Sequence, residues 1–143
     1  MIKLTGDMAL LKNFDLLPVK MQKKHGRRAL TKAGRLVVSA AKPHVPVRYG
    51  HLADSLGQRG RTYGNHTVVS VVGPRAGHKF TFIDPDGKKH VPAKIAHLVE
   101  NGHGGPHPAG PHPFLRPAYD ETRQSTRAVI VVELAKGVEQ EGV

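Results

Sequence analysis

From Val19 to Lys42 apolar residues recur at intervals of three and four, and this period confines the segment to one long helix with two unlike faces. At about 100° per residue, Ala29, Leu30, Ala33, Leu36, Val37, Ala40 and Ala41 fall within an arc of roughly 140°. Lys20, Lys23, Lys24, Arg27, Arg28, Lys32 and Arg35 occupy the opposite half, and no acidic residue interrupts them. Pro43 closes the pattern, because a proline ring clashes with the carbonyl one turn back and offers no N–H. Gly26 and Gly34 each weaken such a helix by about 1 kcal/mol relative to Ala, so the aliphatic arc must find a tertiary partner.

The rest of the chain is read around this helix. A short first helix is expected from an Asp7 or Thr5 cap through Leu10, Leu11 and Phe14, ending before Pro18. Pro43 to Arg61 reads as a connector. Thr67 to Val72, TVVSVV, is β-branched and bounded by Gly64-Asn65 and Gly73-Pro74, which marks a strand. Lys79 to Ile83 alternates, and Asp84-Pro85-Asp86-Gly87 supplies the turn into Lys88 to Val91, which predicts a hairpin. Pro92 opens a short helix, AKIAHLVEN, with Gly102 as its stop. After a Gly/Pro loop, Pro117 starts a last helix with Asp120 and Glu121 in its first turn. Within it, Val129 to Val132 suits a strand equally well.

The expected fold is α+β: a single compact domain, residues 1–143, whose antiparallel or mixed sheet has at least three strands. The sheet packs against the long basic helix, a short helix and a C-terminal helix. Residues 1–42 form the helical basic arm, 62–91 the β-rich core and 117–140 the C-terminal helix. A chain of 143 residues buries roughly 70% of its unfolded surface, which suits one core rather than two. With four Phe, three Tyr and no Trp the core is aliphatic, and platforms for stacking nucleic-acid bases are scarce. The absence of Cys removes disulfides, thiolate catalysis and sulfur-ligated zinc. The N-terminal segment lacks the basic start and apolar run of a signal peptide, and no stretch approaches a membrane span, so no membrane partner is expected.

Charge is unevenly placed. Of the formal +11, residues 1–63 hold 13 basic and 3 acidic side chains, whereas residues 64–143 hold 9 and 8. Such polarity turns one face toward nucleic acid or an acidic protein, or leaves a solvated stripe. No base-reading motif accompanies it, so contact with DNA would be with phosphate and indifferent to sequence.

The chemical candidates are weaker. His103, His107 and His112 could in principle join Glu100 around a metal. They alternate, however, with glycines and with Pro108, Pro111 and Pro113, away from the rigid elements that fix metal ligands, and a solvated flexible loop is expected instead. Ser39, Ser55, Ser70 and Ser125 lie in no nucleophile elbow, and the loop glycines lack the phosphate-cradling GxxxxGK[ST] pattern. No catalytic, cofactor or metal residue is assigned, and the protein is expected not to be an enzyme.

The residues LVENG, Leu98 to Gly102, followed by PFLRPAYD, Pro113 to Asp120, resemble the head-tail connector and tail-completion family of long-tailed bacteriophages, typified by a small neck protein of a lambdoid phage. VPVRYGHLADSL resembles the family's connector through Pro46, Gly50, Leu52, Ser55 and Leu56. The chain departs from it at Ile95, where members commonly carry an aromatic, and at His103, where they carry a small hydroxyl residue. The resemblance implies a structural virion protein, assembled in the host cytoplasm into a ring, expected to be a hexamer, in the neck between portal and tail tube. Its partners would be other copies, neighbouring neck and tail proteins, and double-stranded DNA passing through the lumen. On this reading Glu100, Gly102, Pro113, Phe114, Leu115, Arg116 and Pro117 form an assembly or anchor segment. Phe114 and Leu115 would enter a core or subunit contact and Arg116 would pair with a carboxylate, Glu100 first among candidates. The competing reading is a sequence-independent nucleic-acid-binding module that uses the basic helix.

Overall fold

The structure, a computed structural model, describes residues 8–48, 50–64 and 67–142. The proposed caps Thr5 and Asp7 therefore lie outside the described residues. Helix α1 spans Met8–Asp15, and α2 spans Val19–His44. Pro43 does not stop α2 at Lys42 but sits in its last turn, where little helix remains for the lost hydrogen bond to disrupt. The expected connector is itself structured. It holds the short helix α3, His51–Ser55, and most of strand β1, Leu56–Thr62.

Strand β2, Val68–Pro74, pairs with β1, and the turn between them is closed by Tyr63 N–H donating to Thr67 O at 2.8 Å. Strand β3, Phe82–Ile83, pairs antiparallel with β4, Lys89–His90, placing Phe82 opposite His90 and Ile83 opposite Lys89. A single sheet of at least three strands is thus corrected to two antiparallel sheets of two strands each. One cause lies at residues 78–80, which form a 3-10 turn. Thr81 Oγ1 donates to Gly77 O at 3.1 Å, a local bond that competes with a strand ladder. The expected hairpin around Asp84 is present, with Gly87 N–H donating to Asp84 O at 2.9 Å.

Helix α4 spans Pro92–Asn101 and stops at Gly102. Helix α5 spans Leu115–Gln140, so residues 129–132 are helical, not strand. It begins two residues before Pro117, which occupies the first turn, where an N–H has no intrahelical partner to lose. Asp120 and Glu121 consequently fall beyond that turn.

The described residues divide into two compact units, one from residues 8–36, 58–64, 67–71 and 122–142, the other from 37–48, 50–57 and 72–121. Each has its own apolar cluster. In the first, Ala29 and Ala33 of α2 are buried with Ile130 and Leu134 of α5, beside Leu10, Phe14 and Leu30. In the second, Ala41, Val45, Leu56, Ala96, Phe114 and Ala118 are buried, with Leu52 and Val99 packed against them. The aliphatic arc of α2 contributes to both clusters, through Ala29 and Ala33 in one and Val37, Ala40 and Ala41 in the other.

The glycines of α2 are not equivalent. A Cβ on Gly34 would overlap Gln58 Cγ and come within 2.8 Å of Ser70 Oγ, the two side chains of the β1–β2 hairpin that bond each other at 2.9 Å. Gly34 therefore lets the hairpin approach the helix. A Cβ on Gly26 would meet Val68 Cγ2 at 3.8 Å, an ordinary contact. Gly26→Ala should stabilise the protein by about 1 kcal/mol through helix propensity. Gly34→Ala should destabilise it by about 1–3 kcal/mol through overpacking. Urea unfolding of both variants checks this; equal shifts in one direction would contradict the assigned packing.

Candidate functional site

The anchor segment is built around one carboxylate. Glu100, near the end of α4, accepts main-chain N–H bonds from Phe114 at 2.8 Å and Leu115 at 3.0 Å on Oε2, and from Arg116 at 3.1 Å on Oε1. These are orphan donors at the start of α5, where the helix dipole also favours a negative charge. Glu100 meets Arg116 through the main-chain amide and not through the side-chain pairing expected from the sequence. Partial burial pushes its carboxyl up, yet the amides of Leu115, Phe114 and Arg116, with the Arg116 charge, outweigh this and hold it below the ordinary value of 4.5.

The loop closes the same clasp from the other side. His112 N–H donates to Val99 O at 2.8 Å, serving a carbonyl near the end of α4. His103 and Ala109 exchange two main-chain bonds, 2.9 and 3.0 Å. The loop is exposed, as a solvated connection would be, and carries these main-chain bonds. Gly102, at φ 73°, is required there, since a Cβ would come within 2.8 Å of Ala109 O and Pro111 N. Phe114 is fully buried, Leu115 is half-buried against the same cluster, and Pro113 and Arg116 are exposed. Pro117 is half-buried.

The connector residues that carried the resemblance are structural in the same unit. Gly50, at φ 75°, precedes α3. Ser55 is buried, its hydroxyl donating to Leu52 O at 2.8 Å while its carbonyl accepts Arg75 N–H at 2.8 Å. Pro46, Val47, Leu52, Pro92, Ile95 and Val99 line most of an apolar groove of about 380 Å³. Val47 is 77% and Ile95 41% exposed. At its rim His90 Nε2 lies 2.8 Å from Asp84 Oδ2, and the His90 bond, followed by the Lys88 amide, holds Asp84 below its ordinary range. Among the described residues no cluster of histidine and carboxylate side chains is arranged to hold a metal ion.

The basic stripe of α2 is exposed except at half-buried Lys23, and part of it is charge-paired. Lys32 Nζ lies 2.6 Å from Glu133 Oε1, and Arg28 Nε lies 3.3 Å from Oε2 without the alignment of a hydrogen bond. Lys136 Nζ adds a third cation at 3.6 Å. Glu133 is buried, and the Lys32 hydrogen bond, opposed by burial and joined by the charges of Lys32, Lys136 and Arg28, holds its carboxyl below the usual range. Lys24 Nζ lies 3.8 Å from Glu141 Oε1. Lys20, Lys23, Arg27 and Arg35 have no carboxylate partner among the described residues. Lys20, Arg27 and Arg35 are exposed and Lys23 is half-buried.

Four positions that pack or pair in this unit escaped the sequence reading. Buried His25 places Nε2 2.9 Å from Glu141 Oε1, and its ring packs so closely on Gly137 that a Cβ there would sit 2.6 Å from His25 Cγ. Glu133, Gly137 and Glu141 recur every four residues, the first two on one stripe of α5 and the third in the turn just past its end. That spacing, and His25 in phase with Ala29 and Ala33, were the available signals.

Two outcomes follow from the clasp. Phe114→Ala should cost about 3–5 kcal/mol, the range for truncating a packed aromatic. Glu100→Gln should lower stability at neutral pH. Because the folded-state pKa of Glu100 is depressed, its contribution is fully present above 4.5 and disappears as pH falls through the lowered folded value. Denaturant melts of wild type and Glu100→Gln at pH 7 and pH 3 should therefore show a gap that narrows with acid. A gap independent of pH would remove the carboxylate from the clasp.

Comparison with known families matches residues 8–102 to the family described as "Bacteriophage HK97-gp10, putative tail-component". No curated protein and no solved structure matches the chain. The match covers the basic helix, the connector, both hairpins and α4 through Gly102. It places the protein among phage structural components that interact with other phage proteins. With the clasp, connector and basic helix in the order the sequence resemblance required, the chain belongs to the HK97-gp10-like family of bacteriophage tail components.

Proposed function

We propose that the protein is a non-enzymatic virion component that assembles as a hexameric ring in the phage neck, joining head to tail and letting double-stranded DNA pass. The observation that carries this reading is the family match across residues 8–102. It is supported by the clasp and connector, whose family-like residues are spent on packing and capping: Ser55 and Phe114 are buried, and Glu100 is committed to three amides. The exposed apolar groove around Val47 and Ile95 supports a face covered by a neighbouring subunit. Other neck and tail proteins are the remaining partners, and the virion is the location. No helix among the described residues is long and apolar enough to cross a membrane.

A second reading, a sequence-independent nucleic-acid-binding module, is favoured by the cations of α2 that lack a carboxylate partner. Electron microscopy and native mass spectrometry of the purified protein, alone and mixed with the products of neighbouring genes, separate the two. Closed rings with weak DNA association are expected. A chain that stays monomeric under both conditions, and binds DNA tightly at physiological salt, would replace the connector with the module.

A further inference from the structure

The seven cations of α2 fall into two sets by whether a carboxylate of α5 or of the turn after it meets them. Lys24, Arg28 and Lys32 face Glu141 and Glu133 at 3.8, 3.3 and 2.6 Å. Lys20, Lys23 and Arg27 lie, at about 100° per residue, within an arc of roughly 60° beside them. They share no carboxylate among the described residues, and Arg35, three residues beyond Lys32, is likewise without one.

The chemistry of the free arc selects phosphate over protein. From Lys20 to Arg35 none of the exposed large hydrophobic side chains lies on α2, whereas a protein interface core is enriched in aromatics and depleted in lysine. No Phe, Tyr or Trp lies between Lys20 and Arg35 and the His25 ring is buried, so none is available to stack on a base, which leaves the backbone as the anionic target. The spacing also fits. Lys20 to Arg27 rises about 10 Å along the helix, close to about three nucleotides at the 3.4 Å rise of one B-form strand.

We infer that carboxylates of α5 and of the turn after it mask, by charge pairing, part of the protein's own DNA-facing surface: Glu133 and Glu141 neutralise the exposed Lys24, Arg28 and Lys32, and Lys20, Lys23, Arg27 and Arg35 are the phosphate-contacting set. The inference rests on the reading that the protein meets double-stranded DNA, and it narrows that contact from seven side chains to four. A surface that releases about four counterions per chain, rather than about seven, binds more weakly, as a conduit requires.

The test is the salt dependence of binding to a 30-base-pair duplex of arbitrary sequence, between about 20 and 200 mM salt. Lys20→Gln/Lys23→Gln/Arg27→Gln and Lys24→Gln/Arg28→Gln/Lys32→Gln remove the same charge. At about 0.9 per phosphate contact, the first should flatten the slope of log K against log salt by about 2.7, and the second by less than about 1. The second variant leaves Glu133 without two of its cations and can fail to fold, so Glu133→Gln supplies an independent measurement. That near-isosteric change frees Arg28 and Lys32 and should steepen the slope by about 2. Equal losses from the two triple variants, or an unchanged slope in Glu133→Gln, would overturn the masking while leaving DNA contact intact. Absence of any wild-type association at 20 mM salt would instead overturn the DNA reading itself. Unchanged DNA binding in the first triple variant, with lost co-assembly with neck proteins, would overturn the assignment in favour of an acidic protein partner.

Discussion

A helix that lines up seven cations needs counter-charge before it can pack, and Glu133 supplies the central share of it. Its side chain is buried, yet Lys32, Arg28 and Lys136 surround it within 3.6 Å. A buried carboxylate is tolerated only when paired, and breaking such a pair leaves an uncompensated charge in place. The pairing therefore does two things at once. It lets the small residues Ala29 and Ala33 meet Ile130 and Leu134, and it lowers the repulsion along one flank of α2. Buried His25 meets Glu141 just past the C-terminal end of α5, with Gly137 clearing space for the imidazole.

The second unit uses a glutamate differently. Glu100 faces no buried cation; it satisfies three amides at the start of α5, a role ordinarily filled by a side chain just before the helix. Because this cap comes from 14 to 16 residues upstream, it also fixes the return path of the loop. The Gly/Pro composition lets residues 102–113 turn tightly enough for His112 N–H to reach Val99 O. Both carboxylates lie below the ordinary range for reasons that require the folded state, so acid weakens both units through the same protonation.

Helices were legible in the sequence because their signals are local. The three-four period gave α2, and Pro92 with Gly102 gave α4 almost to the residue. Phe114 was legible as an anchor because it is a lone aromatic between two prolines, Pro113 and Pro117, beside Leu115. Strand β1 was not, since LGQRGRT shows no apolar alternation and two glycines; its pairing depends on β2 and on the space Gly34 leaves on α2. The start of α5 was misplaced by two residues for a related reason. Pro117 is a strong local cue, but the cap that sets the boundary lies on another helix. The division of the basic stripe was equally hidden, because periodicity within α2 says nothing about which flank meets α5.

That division alters what net charge means for function. The first half of the chain carries an excess of ten positive charges, and read as composition this suggests a strong polyanion binder. Once Glu133 and Glu141 from the near-neutral second half are set against it, the charge that α2 leaves free to meet phosphate is smaller. On the proposed role, each copy in a ring repeats that free charge. A modest contact per chain is multiplied around the lumen, while each single contact stays weak enough to break and reform as DNA moves. Strong binding at any one subunit would oppose that movement. Partial internal neutralisation thus reconciles a positively charged wall with passage, and it does so with side chains that also hold α2 against α5.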